Sequence, residues 1–176
     1  MKKIFTTRNM VLMSLLIAFH VLLTGPLAIS LPIMRLTLNF IPAIILGALF
    51  GPIGAGVSLM LADLINFTLF VNAPFFIGFT IMNTISGVLF GFFFYKKTIT
   101  LSRAIVSGLT ISTLEILILV PINLMLLLGV EFWAILPARI VQWAVFTTLQ
   151  ILITYFVMPR ITNLSQFKQY VNAQVE

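Results

Sequence analysis

Long apolar runs without a charged side chain occupy most of the chain. They cover residues 9–34, 36–62, 64–95 and 140–159, and Glu115 is the one charged residue between positions 104 and 130. About 20 apolar residues in a helix cross the ~30 Å hydrocarbon core of a bilayer, and a helix satisfies its backbone N–H and C=O groups internally. The polar–apolar alternation of a transmembrane β-barrel is missing. The pattern therefore predicts an all-α, polytopic membrane protein.

Proline and glycine divide these runs, because proline lacks the N–H that a helix needs and restricts the preceding residue. Turn signals stand at residues 25–26, 51–54 and 72–74. Six transmembrane helices in a compact bundle are therefore predicted, at about Thr7–Leu23, Leu38–Phe50, from the turn at 51–54 to Phe70, Phe75–Tyr95, from after Arg103 to Leu128, and Ile135–Met158. They form one predicted domain over residues 1–165, and a polar cytoplasmic tail follows at 166–176.

The distribution of basic residues predicts the orientation of the bundle. Cytoplasmic N- and C-termini place eight of the ten Lys and Arg residues on the positive inner side, namely Lys2, Lys3, Arg8, Lys96, Lys97, Arg103, Arg160 and Lys168. Arg35 and Arg139 then fall on the outer side or in the outer half of the membrane. The first run could also be a secretory signal peptide, but an uncleaved helix fits better in a chain whose remainder is equally hydrophobic.

Three charged residues interrupt the predicted spans and indicate a polar interior. A charge at the bilayer centre costs roughly 2.5–3.5 kcal/mol even on the lenient insertion scale, so Asp63, Glu115 and Arg139 should avoid lipid. An ion pair of Arg139 with Asp63 or Glu115 would explain them structurally. Alternatively, they line an outward-facing pocket for a small, flat, polar ligand, and Arg139 with Arg35 would suit an anionic one.

Helical spacing adds neighbours to this predicted pocket. Asn66 lies on the face of Asp63, and Asn83 lies on a polar face of the fourth helix with Thr80, Thr84 and Gly87. Aromatic side chains are expected at the outer mouth of the pocket. The complete set of predicted substrate-binding residues is Arg35, Asp63, Asn66, Phe75, Phe76, Asn83, Trp133 and Arg139.

Composition and motifs narrow the function classes. Hydrophobic residues make up 61% of the chain and charged residues 8%, so the net charge of +6 reflects membrane orientation and does not indicate a nucleic-acid partner. Cysteine is absent, and one histidine, His20, cannot build a metal cluster. The glycine-rich stretch 51–56 lacks the Lys-Ser/Thr of a phosphate-binding loop. We therefore expect no enzyme, no cofactor, no metal site and no nucleotide site in this chain.

Three segments carry a resemblance to a known family. They are "RLTLNFIPAIILGALFGPIGAGVSLMLADLINF" (35–67), "FFIGFTIMNTISGVLFGFFFY" (75–95) and "LPARIVQWAVFTTLQI" (136–151). The chain resembles the S components, the substrate-binding membrane subunits, of energy-coupling-factor (ECF) vitamin transporters. The segments "FF-x-GFT" and "LPARI" are most similar to the folate-specific branch.

This resemblance implies high-affinity capture of a vitamin, folate above all, at the bacterial plasma membrane. It implies partners: a membrane coupling protein, the T component, docking on Ser14 and Ala18 of the first helix, and two cytosolic ATPases. The loop at about 24–37 would close over the ligand. Arginine would pair with the folate carboxylates, Asp63, Asn66 or Asn83 would accept hydrogen bonds from the pterin, and Phe75, Phe76 or Trp133 would lie against its ring.

Other functions stay open at this stage. The same framework could bind pantothenate, pyridoxine, hydroxymethylpyrimidine or cobalamin. A standalone secondary transporter or channel would need no ATPase, and a membrane enzyme would require turnover that depends on Asp63 or Glu115.

Overall fold

The computed structural model describes the backbone of residues 7–30, 35–70 and 75–162, with side chains except at 29, 30, 35, 36, 161 and 162. The helices are α1 (Thr7–Thr24), α2 (Phe40–Phe70), α3 (Ile77–Phe94), α4 (Leu101–Ser112), α5 (Val120–Leu128), α6 (Phe132–Phe156) and α7 (Met158–Thr162), with a π-helical segment, Thr113–Leu119, between α4 and α5. A short antiparallel pairing joins β1 (Ile29–Ser30) to β2 (Arg35–Leu36). The predicted helical class is confirmed. The tail at 166–176 and the Arg35 side chain lie outside the described residues.

The described part of the chain contains five helices long and apolar enough to cross a membrane, not six. Two of them combine several elements: Leu101–Leu128 joins α4, the π-helical segment and α5, and Phe132–Arg160 continues α6 into α7. The predicted count of six is wrong because the second and third predicted helices both lie within α2.

The break inside α2 explains this difference. Gly51 has φ 72° and ψ −172°, a conformation that favours glycine, and Pro52 follows without an N–H to donate. The predicted turn at residues 51–54 is thus reduced to a single non-helical residue. Helical structure resumes at once, so α2 consists of two helical segments that meet at a kink with no loop between them.

Other helix bounds differ from the prediction by a few residues. The fifth predicted span begins at Leu101, before Arg103, because the Thr100 hydroxyl accepts a hydrogen bond from the Arg103 backbone N–H and caps the helix. It ends where Gly129 adopts a left-handed conformation with φ 67°. The sixth predicted span begins at Phe132 instead of Ile135.

The centre of the fold is the close packing of α2 against α3. A Cβ added at Gly87 would lie 2.6 Å from the Ala55 carbonyl oxygen, and one at Gly47 would lie 2.7 Å from the Phe90 backbone. A Cβ at Gly91 would meet the Pro52 backbone. Glycine therefore lets the two backbones approach each other directly. This contact holds the polar residues of α2 and α3 in a rigid relationship.

Candidate functional site

A small, partly open cavity of about 10 Å³, enough for the centre of roughly one water molecule, lies among the helices. Its polar lining comes from α1, α3, the π-helical segment, α6 and the chain just before α2, and its apolar lining comes from α2, α3 and α6. The polar residues are His20, Asn39, Asn83, Ser86, Glu115 and Gln150, and the apolar residues are Phe40, Ala43, Leu59, Phe90 and Phe146. A hydrogen-bonding interior with aromatic walls is typical of a binding site for a small polar ligand.

The π-helical segment brings Glu115 to this cavity. The Val120 N–H donates to the Glu115 carbonyl oxygen, the i→i+5 bond that defines the wider turn. Pro121 follows, and a proline in a regular α-helix would clash with the carbonyl four residues earlier, so a wider turn just before it relieves that clash. Trp143 on α6 anchors the segment, because its Nε1 donates to the Thr113 hydroxyl at 3.0 Å.

Glu115 is held from across the bundle by α3. The Ser86 hydroxyl donates to Glu115 Oε2 at 3.1 Å. Ser86 is buried and lines the same cavity. The structure therefore holds a carboxyl group at the cavity wall, in the interior of the bundle, where a ligand donor can reach it.

Asp63 belongs to a second polar cluster, between α2 and α3. Its Oδ2 accepts from the Thr80 hydroxyl at 2.7 Å, and its Oδ1 accepts from Asn83 Nδ2 at 2.8 Å. Asp63 is half-buried and is not among the residues that line the cavity. Asn83 is therefore the link between the two clusters, since it bonds to Asp63 and also faces the cavity.

Other polar residues that line the cavity are only partly hydrogen-bonded. The Thr37 hydroxyl donates to Asn39 Oδ1 at 2.8 Å. His20 is buried, and its Nδ1 has no hydrogen-bond partner among the described residues. Such an unpaired buried polar atom is costly to leave unsatisfied, so it marks a position where a ligand or water would form a favourable bond.

Arg139 does not form the ion pair that would have explained the buried charges structurally. Its Nη1 donates to Gln142 Oε1 one helical turn along α6, and its buried Nε has no hydrogen-bond partner in the part of the chain that the structure describes. Within the described ranges, neither Asp63 nor Glu115 pairs with it. Arg139 thus keeps hydrogen-bonding capacity for a group from outside the chain.

The other predicted binding residues are dispersed around this region. Asn66 is buried, and none of the described residues forms a hydrogen bond to its Oδ1. Phe75 is 46% exposed and packs edge-on against Phe67, with ring centroids 5.0 Å apart. Phe76 packs against Phe79 in the same manner. Trp133 is 76% exposed at the start of α6.

Of the predicted binding residues that the structure describes, only Asn83 lines this cavity. The remaining assignments stay predictions.

Sequence reasoning missed several cavity residues, although two signals could have found them. Ser86 lies one turn beyond Asn83 on α3. The face of α6 that carries Arg139 and Gln142 continues at helical spacing through Phe146 to Gln150, which is again polar. Asn39 and His20 carried no comparable signal, because their approach to the cavity depends on how α1 and the chain before α2 pack.

Two further predicted features can be located. Ser14 and Ala18 both lie on the exposed face of α1, and the Ser14 hydroxyl donates to the Met10 carbonyl oxygen at 2.8 Å. No group of three or more His, Cys, Asp or Glu side chains that could hold a metal ion occurs in the described part of the chain.

Comparison with known proteins adds independent information. The model of a family described as "ECF transporter, substrate-specific component" matches residues 8–165. Two curated relatives are named Folate transporter FolT. The one from Clostridium novyi (strain NT) is 29% identical over 146 residues, which cover 83% of this chain and 85% of the relative. The one from Streptococcus mutans serotype c is 26% identical over 175 residues, covering 94% and 92%.

A solved structure shares the fold. It is described as "Crystal structure of FolT bound with folic acid" and matches with a TM-score of 0.81 and 32% sequence identity. The match covers 86% of this chain and 93% of that chain. The similarity therefore extends over most of the helical bundle.

Proposed function

The chain belongs to the substrate-specific components of ECF transporters, and from this membership we propose that it captures folate and delivers it for import. The observation that carries the proposal is the polar cavity among the helices, in a fold that matches FolT bound with folic acid. The names of two curated relatives support the same ligand. The chain itself would act as a binding subunit, and transport energy would come from partner proteins.

The donors and acceptors around the cavity favour the pterin end of folate as the part that enters it. A pterin ring carries a 2-amino group and a ring N–H on one edge, and these donors suit Asn83 and Glu115. The aromatic rings of Phe40, Phe90 and Phe146 provide apolar surface for a flat ring. The cavity as it stands has room for about one water molecule, so a pterin ring would enter as the lining side chains move apart.

The glutamate end of folate would then extend along α6. Arg139 lies roughly three helical turns, about 16 Å, from Gln150, and its unpaired Nε gives it a free donor for a carboxylate. Arg35 would supply a second cation, as the sequence predicts. Asn66, Phe75, Phe76 and Trp133 are the remaining proposed contacts, between the pterin site and the outer mouth.

Membrane topology and partners complete the proposal. We place the N- and C-termini in the cytoplasm, with Lys96, Lys97 and Arg103 on the inner side, as the positive-inside rule favours. This topology needs an even number of crossings, so the two segments of α2 that meet at Gly51 would have to cross the membrane separately. The chain would lie in the bacterial plasma membrane with its cavity open to the outside. The exposed face of α1 with Ser14 and Ala18 would dock on a membrane coupling protein, which two cytosolic ATPases drive.

A ligand panel on the purified chain tests the binding function. Quenching of Trp133 and Trp143 fluorescence should report nanomolar binding of folate and much weaker binding of pantothenate, pyridoxine, hydroxymethylpyrimidine and cobalamin. Preference for another of these vitamins would reassign the ligand. Failure to bind every one of them would overturn the proposal.

Reconstitution tests the transport function separately. Liposomes that contain this chain alone should bind folate but should not accumulate it. Accumulation should require the coupling protein, both ATPases and ATP together. Uptake by the chain alone would instead identify an independent transporter.

A further inference from the structure

The amide of Asn83 has one chemically permitted orientation. Its Nδ2 donates to Asp63 Oδ1 at 2.8 Å and to the Phe79 carbonyl oxygen at 3.1 Å. Both partners are acceptors, so turning the amide over would place its oxygen against two other oxygens. Both hydrogens of Nδ2 are therefore used, and Oδ1 is the group that Asn83 can offer to the cavity.

Asp63 holds Asn83 in this orientation from the neighbouring helix. Its two oxygens accept from Thr80 and Asn83, which lie one turn apart on the same face of α3. The glycine contacts between α2 and α3 leave the two backbones little freedom to separate. Asp63 is thus fixed in place, and it reaches the cavity only through Asn83.

A second acceptor lies close to Asn83 Oδ1. Ser86 is one helical turn from Asn83, and side chains at this spacing are about 5–6 Å apart at Cβ. Ser86 donates to Glu115 Oε2, which brings the carboxyl group of Glu115 to the same edge of the cavity. Its other oxygen, Oε1, receives no hydrogen bond from the described residues.

We propose that Asp63 is a positioning residue that turns the Asn83 carbonyl oxygen toward Glu115, so that the two form an acceptor edge for a ring with adjacent N–H donors. The 2-amino group and ring N–H of a 2-amino-4-oxopyrimidine ring have this arrangement. The inference rests on the proposed folate function and adds to it the selection of the 2-amino group. A ligand without the 2-amino group would leave a buried acceptor unpaired, so the site should bind it much more weakly than a ligand that has the group.

The test compares two ligands, folate and a folate analogue whose 2-amino group is replaced by methyl, in purified full-length protein. The wild-type chain should prefer folate by at least about tenfold in Kd. Asp63→Leu removes the acceptor on α2, so the Asn83 amide keeps only its bond to the Phe79 carbonyl of its own helix and is no longer held at the edge of the cavity. The preference for folate should then fall by about tenfold.

The ratio of the two Kd values separates positioning from general damage. If Asp63 merely supports the fold, Asp63→Leu weakens both ligands equally and leaves the ratio unchanged, and the proposal is overturned. Thr80→Val is the matched control, because it removes the other hydrogen bond to Asp63 and keeps the bond to Asn83. It should preserve the ratio, and a fall like that of Asp63→Leu would also overturn the proposal.

A further variant keeps the test decisive if Asp63→Leu does not fold. Asn83→Leu removes the acceptor itself and should reduce the ratio to a similar extent, whereas an unchanged ratio would contradict the proposal. Folding of each variant is checked by size-exclusion chromatography in detergent. If the wild-type chain binds no folate, the proposed function fails and this inference fails with it. If the wild type binds folate and the ratio never changes, only the inference fails.

Discussion

Ser112 and Gln150 form a hydrogen bond in the buried interior, where the Ser112 hydroxyl donates to Gln150 Oε1 at 2.7 Å. The two residues are 0% and 2% exposed. The bond connects the end of α4 to α6 and satisfies the amide oxygen of a cavity-lining residue. It therefore couples the stability of the bundle to the shape of the cavity.

Removal of this hydroxyl should destabilise the protein. Ser112→Ala leaves the Gln150 carbonyl oxygen buried and unpaired, which costs about 1–3 kcal/mol. Thr148→Val is the control, because Thr148 is exposed on α6 and its hydroxyl bonds only to the nearby Ala144 carbonyl. Its effect should stay within about 0.5 kcal/mol. Denaturant unfolding in mild detergent measures the free energy of unfolding of each variant. Equal losses in Ser112→Ala and Thr148→Val would show that the buried hydrogen bond contributes nothing to stability.

The close contact of α2 and α3 should tolerate no side chain at Gly87. A Cβ there would lie 2.6 Å from the Ala55 carbonyl oxygen, so Gly87→Leu forces the helices apart and should cost at least about 1–3 kcal/mol. Gly129→Asn provides the contrast, since a Cβ at Gly129 meets no atom within 4 Å and asparagine tolerates the left-handed conformation. The midpoint temperature of thermal unfolding should fall clearly in Gly87→Leu and little in Gly129→Asn.

The sequence predicted the helices well, because lipid leaves a chain few ways to satisfy its backbone. It also located the break near Gly51 and Pro52. It could not predict that helical structure resumes directly after Gly51, since a turn signal does not encode the length of the break. The count of membrane helices was wrong for this reason alone.

The cavity was only partly predictable. Because charged residues are rare in the apolar spans, the sequence predicted that Asp63, Glu115 and Arg139 avoid lipid. It could not predict which residues they contact. Glu115 meets Ser86, 29 residues away, only because the π-helical turn and the α3 packing bring them together. Long-range contacts of this kind depend on helix rotation, which apolar runs without a strong polar face do not specify.

The carboxyl group of Glu115 should be required for tight folate binding. Glu115→Gln keeps the size of the side chain and an oxygen for Ser86, but it removes the charge that a pterin donor would meet. Hydrogen bonds to charged groups contribute about 1.5–3 kcal/mol, so Kd should rise roughly 10- to 100-fold. Glu131→Gln, at an exposed acid before α6, should leave Kd unchanged. An unchanged Kd in Glu115→Gln would show that the pterin does not contact this wall of the cavity.

Arg139 should recognise the glutamate end of folate. Arg139→Gln should weaken folate binding about tenfold or more, because a carboxylate then loses its charged partner. Binding of pteroate, which lacks the glutamate, should change little. Arg103→Gln, near the start of α4, is the matched control and should affect neither ligand. Equal weakening of folate and pteroate by Arg139→Gln would show that Arg139 acts on the fold and not on the tail.

The exposed face of α1 should be needed for assembly and not for ligand capture. Ala18→Trp adds a bulky ring where the coupling protein would approach α1 closely, so recovery of the coupling protein and ATPases with the tagged chain should fall about tenfold. Ala144→Trp makes the same exchange at an exposed alanine of α6 and should preserve assembly. Both variants should bind folate with wild-type Kd, because neither residue lines the cavity. Loss of folate binding together with assembly in Ala18→Trp would mean that α1 supports the binding site itself and would contradict its assignment as the docking helix.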